Sequence, residues 1–281
     1  MENLFTDPFN ILLIAAFIGF FMAFGIGAND VANSMGTSVG ARALTIKQAI
    51  LIAAVFEFLG AFLAGGEVTS TIRKGIVDPN LYTDQVNIFV IGMMSALLAG
   101  GTWLYLASLR GWPVSTTHSI VGAIIGFVLI TKGVDAVSWG KVSNIAMSWV
   151  TSPLFSGILA FSLYISAKKL ILDRANPGKA AITFIPFYSF LVAVVISLVT
   201  ARKGLKHVGI EWTENEVYLF TFIFSIVVAI GTSYFLRRNK EKISGVGGIE
   251  FAFGLLMIVS ASAMAFAHGS NDVANAIGPL A

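Results

Sequence analysis

Gly27-Ala28-Asn29-Asp30-Val31-Ala32-Asn33 returns 242 positions later as Gly269-Ser270-Asn271-Asp272-Val273-Ala274-Asn275. Each copy closes an apolar run, Phe9 to Ile26 before the first and Phe251 to Ala267 before the second. Both runs are long enough to enter a bilayer, so an Asn-Asp pair followed by another Asn stands twice where water is scarce. A carboxylate at such depth costs several kcal/mol unless something binds it. Two sites with the same local sequence point to one binding centre built from two halves.

Composition agrees with a membrane solvent: 56% of the 281 residues are hydrophobic and 12% charged, and the mean hydropathy is +0.83. An uncharged run of ~20 residues spans the ~30 Å hydrocarbon core as a helix. Spans are predicted at 9–28, 48–66, 86–109, 142–167, 180–201, 217–236 and 250–268. A further one, 111–131, is broken near its start by Gly111, Pro113 and the polar run Ser115-Thr116-Thr117-His118. The chain is read as an all-α polytopic membrane protein. No Lys or Arg precedes Arg42, which speaks against a cleaved signal peptide. With no cysteine, there is neither a disulfide framework nor a thiol site. The net charge of +3 calls for no nucleic-acid partner, because basic residues collect in cytoplasmic loops of membrane proteins.

Basic clusters at Lys168, Lys169, Arg174 and Lys179, and at Arg237, Arg238, Lys240 and Lys242, are placed on the cytoplasmic side. The loop between them mixes Arg202, Lys203 and Lys206 with Glu211, Glu214 and Glu216, as expected outside. Counting back puts Arg42 and Lys47 inside. The 66–85 loop, with Glu67, Asp78 and Asp84 against Arg73 and Lys74, falls outside, and so does the N-terminus with Glu2 and Asp7. The two motif copies then enter the membrane from opposite sides. That is an inverted-topology repeat, which secondary transporters use to build a site near the midplane.

Glycine and short Asn/Asp side chains crowd both motifs, from Gly25 to Gly40 and from Gly269 to Pro279. Such residues loosen helices, so broken or re-entrant helices are expected. Repeat one continues through Glu57 to Ser115–His118, whereas equivalents offset by 242 positions would fall near 299 and 357–360. The second repeat is therefore read as truncated. The expected organisation is a first repeat over 1–166, connecting helices over 167–248, and the start of the second repeat over 249–281.

Of 18 basic and 15 acidic residues, Asp30, Glu57 and Asp272 alone are placed inside spans or their broken ends. All three are acids without an intramembrane Lys or Arg, which leaves protons or bound metal cations as partners. Carboxylates, Asn amide oxygens, hydroxyls and freed carbonyls suit a hard cation such as Na⁺. The blander alternatives are helix capping for Asp30 and Asp272, and a protonated interior acid for Glu57. Pro113–His118 opens an apolar helix, and hydroxyls with free N–H groups at a helix N-terminus make an anion cradle; an ordinary Ser/Thr cap is the alternative. His118 and His268 read as hydrogen-bonded orienters. A divalent oxyanion beside carboxylates is repelled unless cations intervene, so anion and co-ion should bind each other's partner state more tightly.

The two motif copies, with Ala267-His268 and Ala276 flanking the second, Phe56-Glu57 and Pro113–His118, resemble the inorganic phosphate transporter (PiT) family. The resemblance implies a dimeric cation-coupled phosphate symporter of the cell membrane, without a catalytic role or resident cofactor. It further implies that Asp30, Asn33, Asp272 and Asn275, with Ser115, Thr116 and Thr117, surround phosphate. Asn29, Asn271, the two aspartates and Glu57 would hold the coupling cation, read as Na⁺ with H⁺ as the alternative. Sulfate is the alternative substrate. A membrane-embedded hydrolase using Asp30, Asp272 and His268, or a channel, is the alternative class.

Overall fold

The computed structural model describes residues 7–65, 77–204, 212–244 and 247–280. Glu2, Glu67, Arg73, Lys74, Lys206 and Glu211, used above for orientation, lie outside the described residues. The helices are α1 (Pro8–Gly40), α2 (Ile46–Ala64), α3 (Val86–Leu109), α4 (Thr116–Lys132), α5 (Trp139–Ala167), α6 (Pro177–Val199), α7 (Glu214–Arg238), α8 (Lys240–Ser244) and α9 (Gly248–Ile277). Among the described residues seven helical segments are long and apolar enough to cross a membrane, and α4 is a shorter apolar helix. The only extended pairing among them is an isolated antiparallel bridge between Val77 and Val137.

Helix ends follow local chemistry. The Asp7 carboxylate accepts from Phe9 N at 2.9 Å and starts α1. A capping box starts α7: Thr213 N donates to Glu216 Oε2 at 2.7 Å, and Glu216 N donates to Thr213 Oγ1 at 3.4 Å. Pro113 keeps α4 from starting before Ser115, whose side chain caps it. The expected late start of this apolar helix is what the structure has.

The expected breaks in α1 and α9 do not occur. The 33 residues of α1 and the 30 of α9 each form an uninterrupted helix through the motif. The reason lies in where the short polar side chains spend their hydrogen bonds. Asn33 Nδ2 donates to Asp30 Oδ1 at 3.3 Å, and Asn275 Nδ2 donates to Asp272 Oδ1 at 3.1 Å. Each pair is three residues apart, hence on one helix face, and engages its own members instead of unwinding the backbone. In lipid, moreover, every lost helical hydrogen bond goes unreplaced by water.

α1 does end on an irregular feature. Arg42 N donates to Val39 O and Ala43 N donates to Ser38 O, both at 2.9 Å, which is a Schellman turn. It puts Arg42 in the left-handed region, at φ 58°. Glycine ordinarily takes that position, since a side chain there costs about 1 kcal/mol. Gly40 stands two residues too early to serve.

The chain divides into two compact units. The first comprises residues 1–33, 57–144 and 267–281. Here α1 lies close to α3, because a Cβ at Gly101 would stand 2.9 Å from the Phe21 ring; Met22 and Leu104 are fully buried beside it. Small residues let helix backbones approach where no hydrophobic effect drives them together. The second unit comprises residues 34–56 and 145–266. Its core joins Ile171, Ile185, Tyr188, Leu236, Ile243 and Ala252, with the Tyr188 hydroxyl 2.8 Å from Ser166 Oγ.

Candidate functional site

Asp30, Glu57, His268 and Asp272 line one cavity of about 540 Å³ within the first unit. The remaining wall is apolar, supplied by residues such as Phe20, Phe58 and Ile277, and among the described residues no Lys or Arg contributes to it. Asp30 comes from the first motif copy and Asp272 from the second, so the duplicated sequence does converge on a shared space. The three carboxyl groups are close enough to act electrostatically on one another. Asp30 also lies within electrostatic reach of His268. Two atoms in this cavity's wall are buried with no hydrogen-bond partner: Glu57 Oε1 and His268 Nδ1. An orphaned buried polar atom is costly and points to a missing partner. Among the described residues, no three His, Asp or Glu side chains are grouped tightly enough to share a metal ion. A cation here would therefore have to draw amide, hydroxyl or carbonyl oxygens into its shell.

The hydroxyl segment reaches this centre through Asn275, which is 2% exposed. Its Nδ2 donates to Thr116 Oγ1 at 3.3 Å and Thr117 Oγ1 at 3.2 Å, as well as to Asp272. The buried Thr116 hydroxyl is near enough to Asp30 and Asp272 to act on both carboxyl groups. Ser115 plays the plainer part: its Oγ accepts from His118 N at 3.2 Å and caps α4. Ser115, His118, Asn33 and Asn271 are exposed, and Asn271 Nδ2 donates back to Ala267 O of its own helix.

Asn29 differs from its repeat partner. Buried, it donates from Nδ2 to Trp112 O at 3.1 Å and to Ser108 Oγ at 3.4 Å, while its Oδ1 accepts from Val114 N at 3.4 Å. Those contacts tie α1 to the non-helical stretch that aims α4. At a net of about 0.5–1.5 kcal/mol per hydrogen bond, Asn29→Ala is expected to lower stability by roughly 2 kcal/mol. Thermal unfolding followed by tryptophan fluorescence reads this, and an unchanged midpoint would contradict the bracing role.

Sequence reasoning missed two contributors. Ser270 is 1% exposed and its Oγ donates to Ala64 O at 3.3 Å, taking up one of the free carbonyls at the end of α2. Gly269 sits so close to α2 that an added Cβ would collide with the Glu57 carbonyl. The signal for Ser270 was present in the repeat, since the first copy has Ala28 there. Gly27, the counterpart of Gly269, has nothing within 4 Å of where its Cβ would stand.

Residues 26–281 match the PHO4 phosphate transporter family. A putative phosphate permease of Haemophilus influenzae is 50% identical over 274 residues, covering 95% of this chain and 64% of that protein. The chloroplastic inorganic phosphate transporter 2-1 of Arabidopsis thaliana is 39% identical over 284 residues, covering 94% of this chain and 48% of that protein. A solved structure described as the sodium-dependent phosphate transporter superposes with a TM-score of 0.88 at 41% identity, over 96% of this chain and 66% of that one. The chain spans less than two thirds of the length of these relatives. With the duplicated Asn-Asp motif, the apolar helices and the match across residues 26–281, the chain belongs to the phosphate transporter family.

Proposed function

We propose that this chain carries the phosphate-binding and cation-binding core of a secondary transporter that imports inorganic phosphate by symport with Na⁺. The observation that carries the reading is the cavity walled by Asp30 and Asp272 from the two motif copies and by Glu57. Among the described residues its acids have no basic partner in the wall, so they call for mobile cations, and cations let an oxyanion approach. Phosphate would contact Asp30, Asn33, Asp272 and Asn275 with Thr116 and Thr117, and Ser115 would serve by capping the helix that presents them. Asn29, Asp30, Glu57, Asn271 and Asp272 would supply oxygens for Na⁺. His118 and His268 would orient these groups.

The description of the superposed structure as sodium-dependent favours Na⁺ over H⁺. Phosphate is favoured over sulfate because its protonated oxygen can donate a hydrogen bond to a carboxylate, which sulfate at neutral pH cannot do. Alternating access around an inverted repeat, with 1–166 as the first repeat, 167–248 as connecting helices and 249–281 opening the second, belongs to the same proposal. So do insertion in the plasma membrane with the N-terminus outside, and assembly as a homodimer. The parity of apolar helices between the basic clusters supports the orientation.

The test is radiolabelled phosphate uptake into proteoliposomes under separately imposed Na⁺ and H⁺ gradients. It should be run on this chain and on a version extended to the length of its relatives. Uptake driven by inward Na⁺ and unaffected by a proton gradient is expected. Uptake that follows the phosphate gradient with no cation requirement would make it a channel, and phosphoester cleavage without uptake would make it a hydrolase.

A further inference from the structure

A second cavity, of about 610 Å³, opens within the second unit, where the α1–α2 turn meets the end of α7 and the start of α9. Its wall is built from Phe235, Phe251, Leu255 and Ile258, with Arg42 and Glu250 at the polar part. Phe235 and Phe251 stack with ring centres 6.1 Å apart. Among the described residues Arg42 is the one basic residue in the lining, and it enters neither ion pair found there. Glu250 is turned toward the start of α9, its Oε2 3.1 Å from where a Gly247 Cβ would stand. Arg237, Arg238, Lys240 and Lys242 follow Phe235 directly along the chain.

Arg42 occupies the left-handed position of the Schellman turn, at φ 58°, where glycine would be unstrained. A turn that keeps arginine there sets a basic residue in the lining of a largely apolar cavity at the expense of backbone comfort. One cation beside an aromatic and aliphatic wall suits an amphiphile with an anionic head on acyl chains, and a phosphate ester takes the guanidinium's paired N–H groups well. Basic pockets between helices on the cytoplasmic side meet a leaflet rich in anionic lipid, and that is the side assigned to Arg42 and the Arg237–Lys242 cluster.

We propose that this cavity seats an anionic phospholipid, its headgroup phosphate on the Arg42 guanidinium and an acyl chain along Phe251, Leu255 and Ile258. The lipid would lock the α1–α2 turn to the α7–α9 end of the same unit.

The purified full chain in detergent is unfolded thermally with phosphatidylglycerol, with phosphatidylcholine or with inorganic phosphate. Phosphatidylglycerol is expected to raise the midpoint in the wild type more than phosphatidylcholine does, and the extra rise should weaken with added salt. Arg42→Gly relieves the left-handed strain, so its midpoint without lipid should equal or exceed the wild type. Its apparent affinity for phosphatidylglycerol should nevertheless fall by about fivefold. Gly254→Leu, which keeps Arg42 but fills space beside Ala43 in the cavity wall, should also lose the response. Equal responses to the two lipids in the wild type, or a full phosphatidylglycerol response in Arg42→Gly, would overturn the proposal. A rise with inorganic phosphate alone that depends on Arg42 would replace the lipid with a free anion.

Discussion

Asp272→Asn and Asp30→Asn should each abolish coupled phosphate uptake while the protein still inserts and folds. Asparagine keeps the shape of the side chain and can still accept the 3.1 Å hydrogen bond from Asn275 Nδ2, or the 3.3 Å one from Asn33 Nδ2. What it removes is the negative charge that faces the other acids of the cavity. A hydrogen bond or ion contact to a charged group is worth up to about 3 kcal/mol, roughly a hundredfold in binding. In the proposed symport anion and cation strengthen each other's binding by the same factor, so the loss reappears as weaker phosphate capture. Initial uptake rates, with size-exclusion profiles of the solubilised variants as the folding control, give the answer. Uptake at the wild-type rate in either variant would remove that aspartate from the mechanism.

The second large effect is steric and separates the two motif copies. Gly269→Ala places a methyl group against the Glu57 carbonyl. Overpacking of this kind costs about 1–3 kcal/mol, here with backbone on the other side and no rotamer able to yield. Uptake should fall with stability, since the same displacement pushes Glu57 away from Asp272. Gly27→Ala, whose Cβ meets nothing within 4 Å, should leave the unfolding midpoint within about 0.5 kcal/mol of wild type. Equal tolerance of alanine at both positions would mean that α9 does not lie against α2 at Glu57.

The membrane class and the places of the helices were legible because burial in lipid writes itself into long uncharged runs. Gly111, Pro113 and Ser115 likewise announced the late start of α4. Helix continuity through the motifs was not legible. Propensities measured in water count Gly25, Gly27, Asn29 and Asn33 as helix-weakening, but a backbone without water has no better place for its hydrogen bonds. The convergence of Asp30 and Asp272 could be read from the repeat. How the hydroxyls join them could not, because the link from Asn275 to Thr116 and Thr117 crosses more than 150 positions. Arg42 was invisible for a different reason: a left-handed residue is ordinarily flagged by glycine, and the glycine is at position 40.

At 1.5 Å per residue the 33 residues of α1 amount to about 50 Å of helix, more than the ~30 Å oily layer needs, and the helix continues on both sides of Asp30. α9 bears Asp272 in the same fashion. Neither acid then owes its place to a break in its helix: the backbone carbonyls around Asp30 and Asp272 stay engaged along the axis, and side-chain oxygens are what these turns present to the cavity.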